Sequence, residues 1–140
     1  MKHILKRNTF LVIASTALAT AAFAGRVNPV TVQINDTWNP ANEFGRSANG
    51  SIGATYNSTN TVEFIGCTLS TVTQGQYATC QARDTTGLTR TCFTWNPKHI
   101  DILRELRSDS EMYFQWNEDG SCRRVWVRQR SENQPKRFTP

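Results

Sequence analysis

Four cysteines, a lone histidine beyond residue 24 and a run of arginines around a tryptophan carry most of the chemistry this sequence can offer. The run is "SCRRVWVRQR", residues 121–130. Read as a strand, it sets Arg124, Trp126, Arg128 and Arg130 on one side and Val125 and Val127 on the other. Guanidinium groups supply charge and hydrogen bonds, and an indole supplies a stacking surface. Together with Tyr113 they form a candidate face for an anion, a sugar or a nucleic acid, with an ordinary solvated face as the competing reading.

Strand register decides how that face is built. A four-residue "NEDG" loop places Trp116 opposite Ser121 and Met112 opposite Val125. Met112, Phe114 and Trp116 then join Val125 and Val127 on one apolar side, with the arginines outside beside Tyr113. A Glu118-Asp119-Gly120 loop shifts everything by one residue, and Phe114 and Trp116 then flank Arg124 and Trp126. The first register is favoured, because Met, Phe and Trp must be buried somewhere. The second is a stacking platform of the kind oligonucleotide and oligosaccharide sites use.

Catalytic groups are scarce. His99 falls on the apolar side of a helical stretch, where a single histidine is more often structural than catalytic. An acid such as Asp101 or Asp84 would have to serve it. Asp84, Glu118 and Asp119 sit in turn sequences, where acids commonly serve the turn itself. There is no Gly-x-Ser-x-Gly elbow, and "ANGSIGA" lacks the lysine of a phosphate-binding loop. No catalytic residue, cofactor or metal is expected.

Cys67, Cys80, Cys92 and Cys122 are separated by 13, 12 and 30 residues. Metal-binding thiolates cluster as C-x₂₋₄-C, so two disulfides are the better reading. Cys67–Cys80 with Cys92–Cys122 is the preferred pairing. The hairpin register below also sets Cys80 opposite Cys92, which leaves a direct bridge between those two open.

Disulfides imply export, and residues 1–24 read as a cleaved signal peptide. Lys2, Lys6 and Arg7 precede an apolar run from Phe10 to Ala22, and "AFA" precedes Gly25. The expected location is the periplasm or the medium, with no transmembrane segment. Removing that segment takes three of the 16 basic residues and none of the 11 acidic ones, so 13 against 11 leaves +2. Six basic residues and one acid lie from Arg123 onward, a local +5. An exported chain with so small a net charge fits nucleic acid poorly. An anionic glycan, a lipid headgroup or an acidic protein partner suits it better.

About 116 residues after Gly25 make one domain. Residues 25–50 read as an N-terminal strand over Val30–Asn35 and a loop, "WNPANEFGRSANGS". Residues 51–130 read as the disulfide-stabilised β domain, and 131–140 as a flexible tail. "SIGATY" and "TVEFIGCTL" are strand candidates. "YATCQARD-TTG-LTRTCFTW" is a hairpin with Gly87 left-handed, pairing Asp84 with Leu88, Tyr77 with Trp95 and Thr79 with Phe93. "NPKHIDILRELRS" is a helix capped by Asn96, with His99, Ile102, Leu103 and Leu106 on its docking face. The fold class is mainly β with one helix (α+β): a small antiparallel OB-like barrel, or a sheet with one packed helix.

"FIGCTL", "YATCQARDTTG", the Cys in "RTCFTW", "SDSEMYFQW" and "DGSC" together resemble a family of small exported Gram-negative bacterial proteins. That family repeats a Gly-Cys strand, a C-x-A-R-D-x-x-G hairpin and a hairpin with a D-x-x-G-x-C turn. The resemblance covers about residues 51–130. It implies an exported domain with four cysteines, and no activity or ligand comes with it.

The sequence therefore points to a non-catalytic exported binding protein that uses Tyr113, Arg124, Trp126, Arg128 and Arg130. A small secreted hydrolase using His99 with an acid is the alternative from another class. A structural or inhibitor-like envelope protein is a third.

Overall fold

The structure, a computed structural model, describes residues 30–38, 45–133 and 135. The expected signal segment, 1–24, lies outside these residues. Of the expected tail, 131–133 form a turn in which Asn133 is buried. Its backbone N–H donates to the Arg130 carbonyl (3.0 Å) and its side-chain amide to the Arg128 carbonyl (3.3 Å).

The chain opens with a shorter strand than its alternation predicts, β1 (Gln33–Asn35). Val30 and Val32 are fastened separately. The Val30 carbonyl accepts from Ser51 N–H (3.0 Å), and Val32 N–H donates to the buried carboxylate of Glu63 (3.0 Å). The stretch expected to be a loop contains β2 (Ser47–Ser51), and the expected strand "SIGATY" is instead a short helix, α1 (Ile52–Asn57). Ser51 caps that helix, its Oγ accepting from Ala54 N–H at 3.3 Å.

Three long strands follow as a meander: β3 (Phe64–Val72), β4 (Gly75–Arg83) and β5 (Thr89–Thr94). The β4–β5 turn is the predicted one. Asp84 N–H donates to the Leu88 carbonyl (3.1 Å), and Gly87 sits at φ 89°, where a side chain would be strained. Thr79 pairs with Phe93, and the Tyr77 and Trp95 rings lie 5.0 Å apart.

Helix α2 (Pro97–Arg104) starts where expected, with Asn96 Oδ1 accepting from Lys98 N–H (3.0 Å). Its docking face differs from the expected one. Ile100 and Leu103 are the buried residues and Leu106 packs partly behind them, while Ile102 is 38% exposed. Strands β6 (Ser110–Trp116) and β7 (Cys122–Gln129) close the domain.

The strands form two antiparallel sheets, ordered β1-β2-β6-β7 and β3-β4-β5. Core side chains come from both: Ala48, Met112, Phe114, Trp116 and Val125 from one, Ile65, Ala78, Cys80, Ala82 and Cys92 from the other. Ile100 and Leu103 of α2 complete the core. The sheets' backbones are hydrogen-bonded at one corner, where Phe93 N–H donates to the Gly120 carbonyl (3.0 Å), but no ladder continues around it. The closed OB-like barrel is thus not formed. The sheet-based α+β alternative is the one the chain adopts.

Both expected disulfides are present, Cys67–Cys80 and Cys92–Cys122. Cys80 is flanked in register by Cys67 on β3 and Cys92 on β5, so pairing geometry must choose between them. The Cys67 and Cys80 Cα atoms are 4.0 Å apart, the close approach of a pair without mutual backbone hydrogen bonds. The backbone groups of Cys80 therefore point at β5, where paired Cα atoms stand about 5.5 Å apart. Cys92 is left to bond Cys122, whose Cα lies 5.0 Å away beside the Phe93–Gly120 corner, and that bond ties the two sheets together.

A candidate ligand-binding face on β6 and β7

The β6–β7 turn combines features of the two registers considered from sequence. The loop is the three-residue one: Asn117 N–H donates to the Ser121 carbonyl (2.9 Å), and Gly120 is left-handed at φ 80°. Trp116 accordingly pairs with Cys122. A bulge then intervenes, since Gln115 pairs with Arg124 and Arg123 has no partner on β6. Beyond it Phe114 faces Val125, Tyr113 faces Trp126, Met112 faces Val127 and Glu111 faces Arg128. The bulge restores Met112, Phe114 and Trp116 to the side of Val125 and Val127, as the favoured register has it. The arginine side is turned away from that core: Arg124 and Arg130 are exposed, Tyr113, Trp126 and Arg128 are half-buried, and Glu111 and Gln115 beneath them on β6 are buried.

On that outer side three expected site residues are brought together. The Tyr113 and Trp126 rings are stacked, with centroids 5.1 Å apart and planes 10° from parallel. The Arg128 guanidinium lies over the Trp126 ring at 4.6 Å. Arg128 Nη1 also donates to Glu111 Oε2 at 3.4 Å, long for a charge-assisted bond, which is ordinarily about 2.7–2.9 Å. The place of Glu111 directly across from Arg128 depends on the bulge.

The other two expected residues lie on either side of the stack. Arg124 is exposed and pairs with Gln115 across the ladder. Arg130, past the end of β7, holds Glu132 at 3.1 Å, and its side chain is half exposed. Arg123, displaced by the bulge, covers the Trp38 ring at 5.4 Å. The exposed Arg130–Glu132 pair contributes about 0–1 kcal/mol, so an incoming anion displaces it at little cost. The hydroxyl of Tyr113 is buried and has no hydrogen-bond partner among the described residues.

His99, the lone histidine considered for catalysis, is held by the chain's own groups. His99 Nδ1 lies 3.0 Å from Thr94 Oγ1, which also accepts Asn96 N–H (3.1 Å). Burial lowers the His99 pKa below its ordinary 6.5. Neither acid considered for it serves it: Asp101 pairs with Arg104 at 2.6 Å, and Asp84 accepts from Thr86 and Leu88 within its turn. The Thr86 hydroxyl is the largest cause of the lowered Asp84 pKa. Asp119 is bound in the same way by Ser121, its backbone N–H and hydroxyl both donating, and its pKa falls for that reason. Among the described residues no cluster of three or more His, Cys, Asp or Glu side chains could hold a metal ion.

Two disulfides fit an oxidising compartment. Among the described residues no helix is long and apolar enough to cross a membrane. No protein-family model, curated protein or solved structure matches the chain.

Proposed function

We propose that this protein is an exported, non-catalytic binding domain whose outer β6–β7 face recognises an anionic glycan. The observation that carries the reading is the Tyr113–Trp126–Arg128 stack, a preformed aromatic and cationic surface flanked by Arg124 and Arg130. Rigid aromatic rings give contact area at little entropic cost, and guanidinium groups bind carboxylate or phosphate bidentately. The Glu111–Arg128 contact is long enough for a ligand oxyanion to compete for the same guanidinium. The reading places the protein in the periplasm or the medium after loss of residues 1–24, in keeping with its resemblance to exported four-cysteine proteins.

The shared ligand chemistry is a sugar carrying carboxylate or phosphate, from an acidic polysaccharide or a lipopolysaccharide headgroup. Retention on immobilised polygalacturonate and on immobilised lipid A distinguishes the two sources. Combining Trp126→Ala with Arg128→Ala should abolish salt-sensitive retention while circular dichroism stays that of the parent. Retention that is equal in the variant and insensitive to salt discards the reading. A stoichiometric complex with an acidic protein, with no glycan retention, replaces it with a protein partner.

A further inference from the structure

A second site lies on the other sheet, in a groove of about 460 Å³ between the β3–β4 turn and helix α2. We propose that this groove binds a neutral pyranose ring, independently of the β6–β7 face. Its volume falls within the range of about 300–1,000 Å³ usual for small-molecule sites.

One wall is apolar. Trp95 follows β5 and is 48% exposed, a large indole that the core does not need. The Tyr77 ring, 5.0 Å away and tilted by 39°, holds it in place, and Pro97 and Ile100 extend the surface. On the same face of α2 as Pro97 and Ile100, and on the β3–β4 turn beside it, runs a row of planar polar groups. Arg104 Nη2 donates to Gln76 Oε1, Arg104 Nη1 donates to Asp101 Oδ1 (2.6 Å), and Gln76 Nε2 donates to Thr71 Oγ1 (3.3 Å). These contacts link the three side chains into one exposed row, with Arg104 at 49% and Asp101 at 67% exposure.

The chemistry of the groove selects the ligand. A pyranose has an apolar C–H face that fits against an indole and a rim of hydroxyls that both donate and accept. The carboxylate accepts, the guanidinium donates and the amide does both, so the row matches such a rim. The charges of Asp101 and Arg104 cancel within the groove, so nothing there favours an anion. That distinguishes it from the β7 face. Aromatic grooves also take proline-rich segments, but those rely on ring packing more than on a row of planar polar side chains.

The test follows the indole N–H resonance of Trp95, assigned by substitution among the four tryptophans, as the purified protein is titrated with maltotetraose and with chitotetraose. At least one sugar should shift it saturably, with no weakening at high salt. Arg104→Ala, a change at the protein surface, should weaken binding about tenfold or more, and Trp126→Ala should leave it unaltered. No shift with either sugar overturns the proposal, as does parent-like affinity in Arg104→Ala. A proline-rich decapeptide that saturates the groove where neither sugar does would reassign it to peptide.

Discussion

Tyr113 and Trp126 lie ring on ring because they are directly paired across β6 and β7, 5.1 Å between centroids and 10° from parallel. That pairing is the joint product of a left-handed Gly120 and an unpaired Arg123. Without the bulge, the three-residue loop would turn Trp126 and its arginines toward the side of Phe114. The bulge preserves the tight turn and the buried apolar side at once, and the stacked face follows.

Gly120→Ala tests the turn. At φ 80° an alanine is strained, while its Cβ would stand 3.7 Å from Phe93 Cε1, an ordinary contact. The expected loss is about 1–2 kcal/mol from backbone strain alone, read by urea unfolding, with the near-ultraviolet dichroism of the stacked rings retained. Loss of that signal would mean that the turn, and not the burial of Phe114 and Val125, sets the register.

The two disulfides should differ in weight. Cys92–Cys122 spans 30 residues and joins the sheets, whereas Cys67–Cys80 spans 13 within one hairpin. Loop-closure entropy alone gives about 3.6 and about 2.9 kcal/mol respectively. Replacing Cys92 and Cys122 by alanine should therefore lower Tm more than replacing Cys67 and Cys80. The opposite order would show that the sheets hold together without the covalent link.

Glu63 is buried and accepts Val32 N–H at 3.0 Å, which anchors the chain entering β1. Glu63→Ala leaves that donor without its acceptor and should cost about 1–3 kcal/mol. Glu63→Gln keeps an oxygen in place and should recover most of the loss. Equal stabilities for the two variants would remove the hydrogen bond from the account.

Stability should fall in mild acid through His99. Burial depresses its folded pKa below 6.5, so the unfolded chain binds the proton first. The contribution is complete above about pH 6.5 and is lost as pH drops from there toward the folded value. Asp36, held low chiefly by its hydrogen bond from Arg90, adds a second decline at pH values below its ordinary 3.8. Denaturant midpoints measured between about pH 5 and 7 should slope in the parent and flatten in His99→Gln. An unchanged slope in the variant contradicts the assignment.

The β4–β5 hairpin and the capped helix were legible because each rests on local signals: Gly87 at a turn, Asn96 before Pro97, a register counted outward from a loop. The cysteine pairing was a preference only, since that register left Cys80–Cys92 open. Strand β2 was not legible. Its Ser-Ala-Asn-Gly-Ser sequence has turn composition, yet Gly50 is buried where a Cβ would lie 3.2 Å from Val32 and 3.3 Å from Ile65. Small residues there answer to close packing between the sheets, which no local pattern reveals. The alternation of Ile52, Ala54 and Tyr56 imitated a strand, although the Ser51 cap was present to be read. The β7 face was half legible: alternation grouped its arginines with Trp126, but the bulge that places Tyr113 and Glu111 against them has no sequence signature. The groove beside Trp95 was missed for a similar reason, since the Tyr77–Trp95 pair was visible but the approach of α2 was not.

The most direct test of the β6–β7 face is the affinity of the purified protein for polygalacturonate, measured against salt for the parent and for Arg128→Ala. The account predicts binding that perturbs the Trp126 resonance and weakens steadily as salt rises, with lower affinity and a shallower salt slope in the variant. Binding with the same affinity and slope in both proteins, or a Trp126 resonance that never moves, would contradict it.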